Sequence, residues 1–250
     1  NGKVSKSAFQ ADITLCVAYP KEVFIEPQVA ECLGEIRFIG DYFAKPKRAT
    51  FFALEKSDFR FKKRKRASFK GAFGRCGIIG GSSQMPGAAI MAAEAAHRVG
   101  AGYSSLYFAE TKGLKIKLKD ASFLLHTKWS WSDIAQESAI VVGCGGLPKA
   151  GMRYQACFVP LVVDAEALKA WKKPQKTSSP CILTPHPGEA AKILVTESAK
   201  IQKNRLKSLD RLVKKTGQAV YLKGAPGLLK FPKSNKFYVN LSINPVFSKA

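Results

Sequence analysis

Leu183-Thr184-Pro185-His186-Pro187-Gly188-Glu189-Ala190 decides how this chain is read. A short apolar strand over 181–184 ends in a turn built from Pro and Gly, and a helix follows. Open α/β sheets build their ligand sites where a strand end feeds a helix in this way. The prolines on either side of His186 fix its backbone. Most lone histidines are satisfied structural residues, but this rigid setting at a strand end makes His186 a candidate to face a ligand. Glu189 opens the helix, where a carboxylate suits the helix dipole. Its alternative role is to hold a Mg2+ ion through water, as phosphoryl transfer uses.

Outward from this stretch, strands and helices alternate. Cys76-Gly77-Ile78-Ile79-Gly80-Gly81 is an apolar strand ending in glycines, and an Ala-rich helix over 87–99 closes at Gly100-Ala101-Gly102. Strands are expected over 103–109, 139–143, 160–163 and 219–222. A helix is expected over 197–215, with Leu206, Leu209, Leu212 and Val213 on one face and Gly217 at its end. Residues 227–231 and 236–240 flank Pro232-Lys233-Ser234-Asn235 as a β-hairpin. The pattern predicts an α/β fold, a mostly parallel sheet flanked by helices. Upstream, 11–18 and 35–39 read as two strands, and 44–69 as a basic, irregular linker.

Several strand ends carry residues suited to chemistry. Glycines in Gly80-Gly81-Ser82-Ser83 let backbone N–H groups approach a ligand, and the helix N-terminus near Pro86-Gly87-Ala88 favours an anion. Val142-Gly143-Cys144-Gly145-Gly146 is a second cluster, read either as a tight turn or as another wall of the same crevice. Asp164 ends a further strand as a metal-binding or orienting carboxylate, or as a helix N-cap. Lys223-Gly224-Ala225-Pro226-Gly227 places a lysine beside flexible backbone, which suits a nucleotide phosphate.

The composition narrows the alternatives. At 250 residues and 46% hydrophobic, the chain can bury the core of one large domain, or one domain plus a fragment. No apolar stretch has membrane-spanning length. The six cysteines have no CxxC pair or Cys/His ligand spacing, so free buried thiols in a reducing cytoplasm are expected rather than a zinc site. The first residues carry neither Met nor an apolar signal region, and the chain reads as beginning inside a longer one. A net charge of +23 attracts nucleic acid, acidic membranes and phosphorylated ligands alike. Its densest part is Arg60-Phe61-Lys62-Lys63-Arg64-Lys65-Arg66. No nucleic-acid module surrounds that run, so a solvated linker is the preferred reading.

Taken in order, Phe73-Gly74, Ile79-Gly80-Gly81-Ser82, Gly87-Ala88, Gly100-Ala101-Gly102, Val163-Asp164-Ala165-Glu166-Ala167-Leu168, the Thr-Pro-His-Pro-Gly-Glu-Ala run and Leu222-Lys223-Gly224-Ala225 form one constellation. It resembles the ADP-dependent NAD(P)H-hydrate dehydratases, a ribokinase-like family, over residues 70–250. Residues 1–43 resemble the tail of the Rossmann-like NAD(P)H-hydrate epimerase domain that precedes the dehydratase in bifunctional members. The resemblance implies repair of hydrated NADH or NADPH. ADP, or ATP in some members, phosphorylates the ring hydroxyl, and loss of phosphate restores NAD(P)H with release of AMP. It places Ala88, Gly145 and His186 at the hydrate site, and Lys223, Gly224, Ala225, Pro226 and Gly227 at the nucleotide. Glu189 and Asp164 are the candidates for Mg2+, and a cytoplasmic homo-oligomer is expected.

The chain departs from the family pattern in places. Phe69-Lys70-Gly71-Ala72-Phe73-Gly74 stands for His-Lys-Gly-Asp-Phe-Gly, and Gly143-Cys144-Gly145-Gly146-Leu147 for Gly-Pro-Gly-Leu-Gly. Gly227 stands where Thr is common, and Asn244-Pro245-Val246-Phe247-Ser248-Lys249-Ala250 replaces the glycines of Asn-Pro-Gly-Met-Ala-Thr-Gly. In the family, Gly-Ser-Gly-Asp follows, with the catalytic base and the anion hole. No catalytic residue is therefore assigned here, and the polypeptide 1–250 is expected to be inactive or nearly so. The competing readings are a ribokinase-like small-molecule kinase, a basic nucleic-acid-binding protein and a non-catalytic scaffold.

Overall fold

The structure is a computed structural model that describes residues 4–40, 43, 44, 46, 49–59, 63–112, 123–149, 157–173 and 175–241. Arg60 and Lys62 of the basic run, and the tail 244–250, lie outside the described residues. The chain divides into two units, Lys62–Pro185 and Asn1–Phe61 with His186–Ala250.

The Lys62–Pro185 unit holds six parallel strands: β4 (Arg75–Gly80), β5 (Tyr103–Phe108), β6 (Leu124–His126), β7 (Ala139–Val142), β8 (Leu161–Val163) and β9 (Cys181–Leu183). Their order is β9-β8-β7-β4-β5-β6. From β4 the chain builds outward through β5 to β6, then returns to lay β7 on the other side of β4. The order therefore reverses between β4 and β7, the place where an open parallel sheet leaves a crevice at its strand ends.

Helix α2 (Pro86–Arg98) packs on β4 and β5 through alanines. Ala89 and Ala93 are fully buried against Ile78, Leu106 and Phe108, since small side chains let the helix lie close to the sheet. The Gly100–Gly102 stretch does close this helix, through Val99, Gly100 and Ala101 N–H bonds to carbonyls of its last turns. Residues 165–172, which follow Asp164, form a 3-10 helix that buries Ala167, Leu168 and Trp171.

In the other unit, β1 (Ile13–Val17) and β2 (Glu35–Ile39) pair in parallel, with α1 (Pro27–Leu33) between them in sequence. Cys16, Phe24 and Leu33 form their small core. A second set of strands runs in the order β3-β12-β11-β10, with β3 at Phe51–Ala53, β10 at Ala219–Leu222, β11 at Gly227–Lys230 and β12 at Phe237–Asn240. The β11–β12 pair is the expected hairpin. Helix α3 (Pro187–Leu194) and α4 (Ser198–Lys203) precede α5 (Arg205–Thr216), which packs on β10 and β11.

Three expectations change. The helix expected over 197–215 is two helices, because Asn204 between them takes φ −141° and ψ 63°. Asn competes with the helical backbone for hydrogen bonds and favours such breaks. The basic linker contributes a strand, β3, which runs parallel to β12 with Phe52 beside Tyr238. Arg64 of the basic run is docked, with Nη2 donating 2.8 Å to the Gly100 carbonyl and the guanidinium 4.2 Å from the Phe73 ring centroid. All six cysteines are free thiols. Among the described residues, no helix is long and apolar enough to cross a membrane.

Candidate active site and nucleotide loop

At the β4/β7 reversal the two glycine clusters pack on each other through backbone. Gly81 N–H donates 2.8 Å to the Cys144 carbonyl, and Gly143 N–H donates 3.0 Å to Ile79. Gly81, Gly143, Gly145 and Gly146 all have positive φ. At Gly145, φ is +76° and an added Cβ would run into the Met85 carbonyl, so glycine is required there on two counts. That same Cβ would stand 3.4 Å from the Ala88 side chain. Ala88 and Gly145, read separately from the sequence, are thus neighbours at the start of α2. Ser82 supports this turn, its hydroxyl accepting from Met85 N–H at 3.2 Å. The site is therefore backbone donors, small side chains and a helix N-terminus, a surface suited to an anionic or polar ligand.

Asp164 lies beyond β8 and occupies the N-cap position of the 3-10 helix, its N–H bonded to the Val142 carbonyl at 2.9 Å. Its carbonyl is the group that an added Cβ at Gly143 would meet first. Thr184 donates its hydroxyl to the Val163 carbonyl at 3.2 Å, tying the end of β9 to that of β8.

His186 and the 223–227 loop belong to the other unit. His186 is the N-cap of α3. Its Nδ1 accepts from Gly188 N–H at 3.0 Å, while Glu189 Oε2 accepts from His186 N–H at 2.8 Å, a reciprocal capping box. Glu189 Oε1 lies 3.5 Å from His186 Nε2. These contacts fix the ring, while 55% of the side chain stays exposed. The histidine is structural through Nδ1 and faces Glu189 through Nε2, while about half of its side chain remains exposed.

Glu189 thus spends its carboxylate on the cap. Among the described residues, no group of three His, Cys, Asp or Glu side chains could hold a metal ion. The described residues therefore do not build a protein cage for Mg2+, and leave Glu189 and Asp164 as single carboxylates.

The loop from Lys223 to Gly227 joins antiparallel β10 and β11, with Gly224 and Ala225 exposed at its tip. Beneath it is a residue the sequence reading passed over. Arg205, 4% exposed, donates from Nη2 to the Pro226 carbonyl at 2.7 Å and to the Lys223 carbonyl at 3.3 Å. Gly224, at φ +134°, leaves room for it, since a Cβ there would lie 2.8 Å from Nη1. Burial pulls the Arg205 pKa below the usual guanidinium value, against the opposing influence of Glu26 and Tyr221. The signal was available: Arg205 stands four residues before Leu209, in register with the buried stripe Leu209, Leu212, Val213. A cation in an apolar stripe marks a buried polar task.

Comparison with solved structures defines the class. A ribokinase-like superfamily protein from Enterococcus faecalis superposes with a TM-score of 0.60, at 20% identity and covering 81% of this chain and 76% of its own. An ADP/ATP-dependent NAD(P)H-hydrate dehydratase from Bacillus subtilis, co-crystallized with ATP/Mg2+, also scores 0.60, at 25% identity over 76% of this chain and 72% of its own. The fold is ribokinase-like. The NAD(P)H-hydrate dehydratase family model (Carb_kinase) matches residues 76–247, and this chain belongs to that family. An ADP-dependent (S)-NAD(P)H-hydrate dehydratase from Neisseria meningitidis is 34% identical, over 74% of this chain and 67% of its own length. The bifunctional NAD(P)H-hydrate repair enzyme Nnr of Coxiella burnetii is 29% identical over 98% of this chain, which spans about half (53%) of that enzyme.

Proposed function

We propose that this chain serves nicotinamide nucleotide repair, the ADP-dependent dehydration of the S-epimer of hydrated NADH or NADPH. The observation that carries this reading is the contact of the two glycine loops at the β4/β7 reversal, which sets Gly145 against Ala88. In this reading Ala88 and Gly145 hold the hydrate with backbone N–H groups as its polar partners, and His186 is the further hydrate-binding residue that the family resemblance implies. The loop formed by Lys223, Gly224, Ala225, Pro226 and Gly227 holds the nucleotide, with Lys223 as the countercharge and Arg205 keeping the loop in place. The ring hydroxyl attacks the terminal phosphorus of ADP and AMP leaves. The attack forms an O–P bond and releases the hydroxyl proton. The ring C–O bond, present from the start, then breaks as a neighbouring ring carbon loses its proton, giving the double bond of NAD(P)H and inorganic phosphate. Mg2+ enters as the nucleotide complex, held by phosphates and water, with Glu189 and Asp164 proposed to meet it through that water.

Residues 1–43 are proposed as the tail of an epimerase domain, 44–69 as a connection and 70–250 as dehydratase, a division supported by the length of the C. burnetii alignment. No carboxylate of this chain is assigned as catalytic base, so 1–250 alone is proposed to bind both ligands with little turnover. A cytoplasmic homo-oligomer belongs to the same proposal.

The test supplies hydrated NADPH, ADP and Mg2+ to a protein carrying this chain within a longer coding sequence. Regained nicotinamide absorbance with one AMP and one phosphate per turnover is expected. A stable phosphorylated product without that absorbance would make the protein a kinase. Ready turnover by 1–250 itself would overturn the assignment of no base.

A further inference from the structure

The side of the hairpin at Gly227 is governed by Tyr221. Gly227 opens β11 with its φ outside the left-handed region, so its φ does not demand glycine. An added Cβ would instead overlap the Tyr221 hydroxyl and lie 3.1 Å from its Cε2. The register explains the clash. Tyr221 pairs with Leu229, so Tyr221 and Gly227 share one face and the long phenol reaches the diagonal position. The ring is half-buried, and its hydroxyl makes no hydrogen bond to another described residue.

The surroundings offer donors. Arg205 Nη1 and Nε are buried without an acceptor, close to Gly224, and Lys223 opens the loop. A half-buried hydroxyl beside surplus cationic donors is complementary to an acceptor-rich anion such as a phosphate ester.

We propose that the Tyr221 hydroxyl is a nucleotide-binding group of this chain, donating to a nucleoside diphosphate held by the 223–227 loop. It takes the place that a side chain at 227 would fill, so Tyr221 and Gly227 are one exchange rather than two independent residues. The inference rests on the reading of this loop as the nucleotide site.

Titration of the 250-residue chain with ADP and Mg2+ tests it. Tyr221→Phe keeps the ring and removes only the donor, so the ADP dissociation constant rises about 3- to 10-fold with the thermal midpoint unchanged. Tyr221→Ala weakens ADP similarly, and adding Gly227→Thr in that background restores affinity, because the space is then free and a hydroxyl returns. Equal ADP affinity for wild type and Tyr221→Phe, with Lys223→Ala still weakening it, overturns the inference and leaves the loop reading intact. A folded double variant no tighter than Tyr221→Ala overturns the exchange. A wild-type chain that does not bind ADP removes the loop reading, and the inference with it.

Discussion

Arg205 Nη2 donates 2.7 Å to the Pro226 carbonyl, joining the first residue of α5 to the loop between β10 and β11. One guanidinium also holds the Lys223 carbonyl, so both ends of the loop hang on a single side chain. Arg205→Met fills much of the same volume but leaves both carbonyls without their donor. The loss of folding stability should be about 1.5–3 kcal/mol, the range for hydrogen bonds to a charged group. Arg205→Lys recovers only part of it, because an ammonium cannot reproduce the fork. Urea unfolding of the three proteins, beside ADP titration of each, measures both consequences. A methionine variant as stable as the parent would show that the loop holds itself.

His186 has two tasks that substitution can separate. Nδ1 caps α3, while the exposed remainder of the ring is proposed to meet the hydrate. His186→Asn keeps a side-chain acceptor at the N-cap and should retain stability, whereas His186→Ala should cost about 1 kcal/mol. Both should weaken binding of hydrated NADPH by a similar factor. Thermal unfolding with ligand titration distinguishes the roles. If asparagine restores ligand affinity as well as stability, the histidine acts only as a cap.

The sequence made the buried strands and their glycine ends visible because both signals are local. Cys76 to Gly81 is an apolar run stopped by residues that only a turn requires, and the structure places β4 there. The contact between Gly145 and Ala88 was not local, since it depends on the reversal of strand order that brings β7 beside β4. Strands β3 and β6 escaped notice for another reason. Each has three residues, too few for an alternating pattern, and exists through pairing with β12 or β5. Arg205 is not legible in this way, because the leucines alone define the apolar face and the break at Asn204 hides that Arg205 begins a helix.

Gly145 carries the geometry of the candidate hydrate site. Gly145→Ala forces a Cβ into a left-handed backbone and against the Met85 carbonyl. A cost of about 2–3 kcal/mol combines strain at positive φ with the shift needed to clear the carbonyl. Gly217→Ala is the control, since Gly217 also has positive φ but an added Cβ would meet nothing within 4 Å. Its cost should be nearer 1 kcal/mol, from backbone strain alone. Equal losses at the two positions, by chemical denaturation, would mean that Met85 yields freely and that the loop contact is soft.

The Tyr107 hydroxyl donates 2.7 Å to Glu137 Oε1, and Arg75 Nε stands 3.7 Å from the same oxygen. Gly77 makes this possible, because a Cβ there would lie 2.9 Å from Glu137 Cγ. Burial first, and the bond to Glu137 next, push the Tyr107 pKa up to about 12 from an ordinary 10. The folded protein therefore keeps the phenol protonated after the unfolded chain has begun to lose its proton. That contribution is whole below pH 10 and disappears as pH rises from 10 to about 12. Its size is at most about 3 kcal/mol, by the usual conversion of a pKa difference into free energy. Tyr107→Phe is less stable at pH 8, having lost the bond to a buried carboxylate. Its deficit against wild type should shrink through pH 10–12, as the wild type gives up what the variant never had. Unfolding free energies of both proteins at pH 8, 10 and 11.5 decide the matter. A deficit that stays constant across that interval would show that Tyr107 titrates as it does in the unfolded chain.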